Sequence, residues 1–181
     1  MRKVWLVCQG EHGRSPMAKA IFTHKAKEQK LNMWADSAAM SLTDGERVKP
    51  KAEEALRKLG ITGFSHLSQP VTPQLLEESD FIVTMTWQQR AALAAVADDG
   101  KLAAFCEFTA GGDISDPYGR DQAAYDKCAA DISAGIDCLI PYLKGRFGGE
   151  LYIVFKKCEN GCMFCAFLDR KYLLGQKSGP E

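Results

Sequence analysis

Hydrophobic residues along the chain alternate between short continuous runs and stretches of helical period. Val4-Trp5-Leu6-Val7 is an unbroken apolar run, the mark of a strand buried on both faces, and residues 3–7 are expected as the first strand. Ser15 to Lys30 follows with Met17, Ile21 and Phe22 at helical spacing and Pro16 suited to a first turn. Asn32 to Ser37 reads as a second strand and residues 38–46 as a loop. Lys49 to Leu59 reads as a helix, with Ala52, Ala55, Leu56 and Leu59 as its apolar face and Gly60 as its stop. Thr72-Pro73 opens a brief helix, and Phe81-Ile82-Val83 is a third strand. Thr86 is placed to cap a helix from Trp87 to Ala97, and Lys101 to Phe108 reads as a fourth strand. A turn-rich loop, 111–119, precedes a long helix from Asp121 to Lys144. Its stripe is Tyr125, Cys128, Ile132, Ile136, Leu139 and Leu143, and Pro141 is expected to disturb its last turns.

This alternation predicts an α/β fold with a parallel sheet covered on both faces. Ligand sites in such folds lie beyond the carboxyl ends of the strands. Gly148-Gly149 divides the chain into a domain over 1–147 and an extension over 148–181. The extension holds a short strand-like run, Leu151 to Phe155, and then Cys158-x3-Cys162-x2-Cys165.

Composition narrows the partners. Lys plus Arg and Asp plus Glu both total 23 in 181 residues, so a general affinity for nucleic acid or membrane surfaces is not expected. No apolar run reaches membrane-spanning length, and Met1-Arg2-Lys3 with its short apolar sequel reads as a strand rather than a secretory leader. The cytoplasm is the expected compartment. Seven cysteines in a reducing setting suggest reactive or metal-binding thiols more than a disulfide framework.

The chemistry concentrates in the first strand-to-helix loop, Cys8-Gln9-Gly10-Glu11-His12-Gly13-Arg14-Ser15-Pro16. A loop that leaves a strand and enters a helix turns its N–H groups inward and cradles an anion. Cys8 stands at its mouth as a candidate nucleophile, whose thiolate the helix N-terminus, Arg14 and the Ser15 hydroxyl would favour. Arg14 supplies a fork for an oxyanion. In-line attack on a phosphate monoester would give a phosphocysteine, with the amides of Gln9, Gly10, Glu11, His12, Gly13 and Arg14 around the equatorial oxygens. The leaving group then needs a proton. Asp116, followed by rigid Pro117, is the first candidate for the acid and Asp113 the second. A buried structural thiol at a strand end is the alternative reading of Cys8 alone. The Arg-Ser-Pro continuation and the later Asp-Pro argue against it.

Cys-x5-Arg-Ser-Pro near the N-terminus together with a late Asp-Pro resembles the low-molecular-weight protein-tyrosine phosphatase family. Met17-Ala18, Ser37-Ala38, His66-x-Ser68 and Asp80 to Met85 are similar too, and the resemblance covers about residues 2–147. It implies a flavodoxin-like three-layer sandwich around four parallel strands. It also implies Cys8 as nucleophile, Arg14 as oxyanion clamp, Asp116 as acid and base, and Tyr118 on the cleft wall. Gln9, Gly10, Glu11, His12, Gly13 and Ser15 would then contact the phosphate. The substrate would be a phosphorylated protein or a small phosphate ester, and no cofactor is required.

The loop's interior departs from the family pattern. Glu11 stands where an Asn is usual, in a hydrogen-bond network with serines matching Ser15 and Ser37, and it brings negative charge to an anion site. Gly13 replaces a second cysteine found in many members. His12 stands where members that look like protein-arginine phosphatases favour a small Thr, and the wall near Leu42 lacks the usual aromatic. These departures keep other readings open: an oxyanion-binding regulatory module with a redox- or metal-sensing tail, or arginine phosphatase or arsenate reductase chemistry. The reductases carry a cysteine pair near the third strand, and residues 81–90 contain none. The tail motif resembles the cluster-binding triplet of radical S-adenosylmethionine enzymes, but Ala166 to Glu181 is short for the barrel that triplet normally opens. Cys158, Cys162 and Cys165 could instead hold zinc or an iron–sulfur cluster with a fourth ligand, or pack as reduced thiols.

Overall fold

The computed structural model describes residues 1–10, 13–41, 47–148, 151–157 and 163–169, the last two ranges as backbone. Four parallel strands, β1 (Arg2–Cys8), β2 (Met33–Ala39), β3 (Phe81–Thr84) and β4 (Leu102–Ala104), form one sheet in the order β2-β1-β3-β4. This is the flavodoxin-like arrangement expected from the sequence. β1 is central, and its apolar run divides by the two-residue pleat. Val4, Leu6 and Cys8 enter one core with helices α1 (Arg14–Glu28), α2 (Pro50–Lys58) and α5 (Gln122–Gly148). Trp5 and Val7 enter the other with α3 (Pro73–Glu78) and α4 (Trp87–Leu93).

The departures from expectation have local causes. The fourth strand stops at Ala104 and turns into a 3-10 segment, Phe105–Glu107. There the Glu107 carboxylate accepts the Ala104 N–H at 2.7 Å, which ends the ladder, and Phe105 and Phe108 fall on one buried face. α4 is shorter than its pattern and gives way to turns around exposed Val96. Thr86 does cap it, in a reciprocal box with Gln89. α5 is longer than expected and runs seven residues past Pro141. Tyr142 on that last stretch packs against Phe81 and Phe108, with ring centroids 5.5 and 5.4 Å apart, and this burial outweighs the N–H that proline removes. Gly135, mid-helix, lets Phe105 approach: a Cβ there would lie 2.7 Å from its ring. Trp34 packs edge-on against Trp5, whereas Trp87 is half exposed beneath the Arg90 guanidinium.

Beyond the sheet, β5 (Leu151–Lys157) and β6 (Met163–Asp169) pair antiparallel as a hairpin. Only the first of these strands was legible in the apolar pattern. No described helix is long and apolar enough to cross a membrane.

Candidate active site

The parallel register brings the carboxyl ends of β1, β2 and β3 to one edge, with Cys8 opposite Ala39. β1 ends at Cys8 and α1 begins at Arg14, with Gly13 as its cap residue. Among the described residues no side chain caps that helix end, which leaves its first N–H groups available to a ligand. The loop is anchored from the side: Met40 and Ser41 donate their N–H groups to the Cys8 and Gln9 carbonyls at 2.9 Å. The Gln9 side-chain amide donates to the Ser41 hydroxyl.

Cys8 is fully buried at the base of this loop. Its Sγ lies 2.8 Å from Ser15 Oγ and 3.1 Å from the Gly10 carbonyl oxygen. Arg14 is nearly as buried, and its fork is spent on the far loop. Nη1 donates to the Ile114 carbonyl at 3.1 Å and Nη2 to Asp116 Oδ2 at 2.6 Å. That pair joins residues 102 positions apart. The other Asp116 oxygen accepts the Tyr118 N–H at 3.1 Å, and the Ile114 N–H is held by the Met85 carbonyl at the end of β3. The loop is thereby fixed at both the sheet and the arginine. Asp113 is used differently: it accepts the Trp87 N–H at 2.8 Å and pins the loop to the start of α4. Of the two acid candidates, Asp116 alone meets the Arg14 fork among the described residues.

A cleft of about 290 Å³ opens here, walled by Gln9, Gly10, Gly13, Arg14, Asp116, Pro117, Tyr118 and Tyr125. Tyr118 is largely exposed at the rim. Tyr125 belongs to the α5 stripe by its spacing, yet its ring edge also walls the cleft, 3.6 Å from where a Gly13 Cβ would sit. Its signal in the sequence was its chemistry: it is the one stripe position with a hydroxyl, nine residues beyond Asp116. Burial, and then the Asp116 charge, push its phenol up from the ordinary value.

Supporting groups lie beneath the loop. Lys19 Nζ is 2.6 Å from Asp36 Oδ1 and 3.3 Å from His66 Nδ1, and the same Asp36 oxygen accepts the Ser37 N–H at 2.8 Å. His66 is buried and stacked on Phe64, a packing residue rather than a cleft residue. Ser37 Oγ is buried, with no hydrogen-bond partner among the described residues. Burial holds Cys128 on α5 as a thiol, pushed up to about 12, and burial with the Asp113 charge does the same to Cys106. Neither is disposed to act as a second nucleophile. Glu11, His12 and Leu42 lie outside the described residues, as do Cys158 and Cys162, and Cys165 is described only as backbone on β6. Among the described residues no His, Cys, Asp and Glu group is placed to hold a metal ion.

Chemically, a helix N-terminus without a side-chain cap among the described residues, a buried guanidinium fork and a sulfur hydrogen-bonded to a hydroxyl can together hold an oxyanion against a nucleophile. A carboxylate stands 2.6 Å from the fork.

Comparison with known proteins gives the same placement. Residues 3–146 match the family model for low molecular weight phosphotyrosine protein phosphatase. The protein-arginine-phosphatase of Bacillus subtilis strain 168 is 31% identical over 142 residues, spanning 76% of this chain and 94% of that protein. A probable low molecular weight protein-tyrosine-phosphatase, EpsP of Ralstonia solanacearum, is 27% identical over 149 residues, spanning 80% of this chain and 97% of its own. Among solved structures, a low molecular weight phosphotyrosine phosphatase from Vibrio cholerae O395 superposes with a TM-score of 0.75 at 29% identity, over 81% of this chain and 99% of that one. With a family model spanning most of its length and relatives aligned nearly end to end, the chain belongs to the low molecular weight phosphotyrosine protein phosphatase family.

Proposed function

We propose that this protein hydrolyses phosphotyrosine-like monoesters on proteins through a phosphocysteine on Cys8. The observation that carries the reading is that Arg14 and Asp116 meet at 2.6 Å in the wall of one cleft, while Cys8, buried next to the cleft residue Gln9, has its Sγ 2.8 Å from Ser15 Oγ. Phosphate entering the cleft takes the place of the Asp116 carboxylate on Arg14. Arg14 and the loop amides then hold the three equatorial oxygens, where charge is spread. The Cys8 thiolate, with the Ser15 hydroxyl donating to it, forms the S–P bond as the P–O bond to the leaving group breaks. Asp116, released from Arg14, takes up a proton from solvent and gives it to the leaving oxygen. In the second half the same carboxylate takes a proton from water, which attacks phosphorus and returns the Cys8 thiolate and inorganic phosphate. Gln9, Gly10 and Gly13 line the anion's side of the cleft in this reading, and Tyr118 and Tyr125 flank an aromatic leaving group. The chemistry needs no cofactor, and a reducing cytoplasm is the compartment that keeps Cys8 reactive.

A second reading changes only the leaving group. The Bacillus subtilis relative is a protein-arginine-phosphatase, so phosphoarginine is the rival substrate. Turnover of matched phosphotyrosine and phosphoarginine peptides separates the two. Wild type should favour the tyrosine peptide, and Cys8→Ser should abolish hydrolysis of both. Asp116→Asn should slow a poor-leaving-group ester by about 10²-fold or more. Failure of wild type to turn over any phosphate ester would reduce the site to an oxyanion-binding module.

A further inference from the structure

The Asp116-Pro117 ridge has a second side. Across it lies a recess of about 140 Å³, bordered by Arg120, Lys127 and Asp131 as well as by the ridge itself. The charges around it are mostly spoken for. Asp116 is held by Arg14 at 2.6 Å, and Lys127 by Asp131 at 2.6 Å. Asp121, next in sequence, accepts the Ala124 N–H at the start of α5. Arg120 is the exception. Its backbone is clamped, with its N–H donating to the Pro117 carbonyl at 3.0 Å and its carbonyl accepting from Lys51 Nζ at 2.5 Å. Gly119, at φ +75°, makes the turn that sets it there. Its guanidinium is exposed and has no partner among the described residues. A fixed backbone carrying an unspent planar cation, beside the Lys51 ammonium, leaves a local positive excess in an otherwise neutral chain.

We propose that Arg120, overhanging this recess, reads an acidic residue next to the phosphorylated one, so that the enzyme prefers phosphorylated segments flanked by Asp or Glu. A side chain bound in the cleft carries its own backbone across the ridge, which sets its neighbours over the recess. A carboxylate there meets the guanidinium fork without displacing an existing ion pair. The inference rests on the phosphatase reading of the cleft but concerns a residue that touches neither the phosphate nor Cys8.

The test compares kcat/KM for phosphotyrosine peptides flanked by Asp, by Ala or by Lys, with p-nitrophenyl phosphate as the flank-free reference, in wild type, Arg120→Ala and Arg120→Glu. Wild type should favour the acidic over the neutral peptide about three- to fivefold at low salt, as an exposed ion pair permits, and less as ionic strength rises. Arg120→Ala should bring the ratio to one, and Arg120→Glu should invert it, with p-nitrophenyl phosphate turnover unchanged in both. The same ratios read as Kd with Cys8→Ser protein do not depend on turnover, so failure of the phosphatase reading is separable. No acid preference in wild type, or an equal preference in Arg120→Ala, would overturn the proposal.

Discussion

The two ends of the parallel sheet each carry a cavity with cations beside it, and the larger of the two is at the end without the loop chemistry. At the amino end a groove of about 540 Å³ is lined by Arg2, Leu31, Asn32, Met33, Lys144, Phe147 and Gly148. At the carboxyl end the cleft is about half that size. The difference lies in how the cations are spent. Arg2 bonds Asp80 at 2.8 Å and lies 4.8 Å from the Phe147 ring centroid, and Lys144 donates to Gln29 at 2.7 Å. These contacts join surface elements to one another and present no converging donors. Arg14 is almost wholly buried, and its partner is an exposed carboxylate on a loop, which an incoming anion can replace. Helix polarity completes the contrast. α1 directs an N-terminus without a side-chain cap among the described residues into the cleft, whereas α5 brings its last turn to the groove, where helix polarity disfavours anions. Volume alone does not make a site; donors that an incoming anion can claim at a strand's carboxyl end do.

That comparison can be broken or sharpened by substitution. The largest effect should come from Arg14→Lys. It keeps the charge and loses the fork, so kcat/KM should fall about 10²–10³-fold, as for loss of an oxyanion donor, while the melting temperature changes little. Retained activity would mean that charge alone suffices. Gly135→Ala comes next and acts on the scaffold. Its Cβ would meet the Phe105 ring at 2.7 Å and Thr109 Cγ2 at 2.9 Å. Overpacking of about 1–3 kcal/mol outweighs the roughly 1 kcal/mol of helix propensity gained, so urea unfolding should shift to lower concentration.

The smallest effect belongs to the amino end. Burial pushes the Asp80 carboxyl up, but the Lys3 N–H and the Arg2 guanidinium outweigh it, and the net displacement is downward. A depressed folded-state value means that Asp80 stabilises above the ordinary carboxylate range, near pH 4, and loses that contribution as pH falls through its folded value. Asp80→Asn should therefore cost about 1 kcal/mol near pH 7, converge with wild type in acid unfolding once pH falls below the folded-state value, and leave kcat/KM untouched. A change in turnover would tie the two ends together and contradict the comparison.

Much of this was legible in the amino-acid sequence. The apolar run of β1 and the helical stripes of α1, α2 and α5 encode their own burial, so the sheet and its layers followed from pattern. Cys8, Arg14 and Ser15 were legible because a strand, a short glycine-bearing loop and a helix confine them to one edge of the sheet. Long-range pairing was not. Nothing local in Asp113 or Asp116 says that one meets the α4 backbone and the other a guanidinium 102 residues away. Tyr125 hid in a stripe because a side chain can fill a core and wall a cleft at once. The fourth strand was overread because Phe105 and Phe108 suit a 3-10 turn as well as a strand, and the Glu107 hydrogen bond that decides it is a side-chain event.

The central claim is a covalent one, and it is tested most directly by acid-quenching the enzyme during turnover of an aryl phosphate and locating the phosphoryl group by peptide mass spectrometry. The account predicts up to one phosphoryl group per chain, on the peptide carrying Cys8, absent in Cys8→Ser and accumulating in Asp116→Asn, where water is activated more slowly. Turnover without any phosphoenzyme, or a phosphoryl group on another residue, would contradict it.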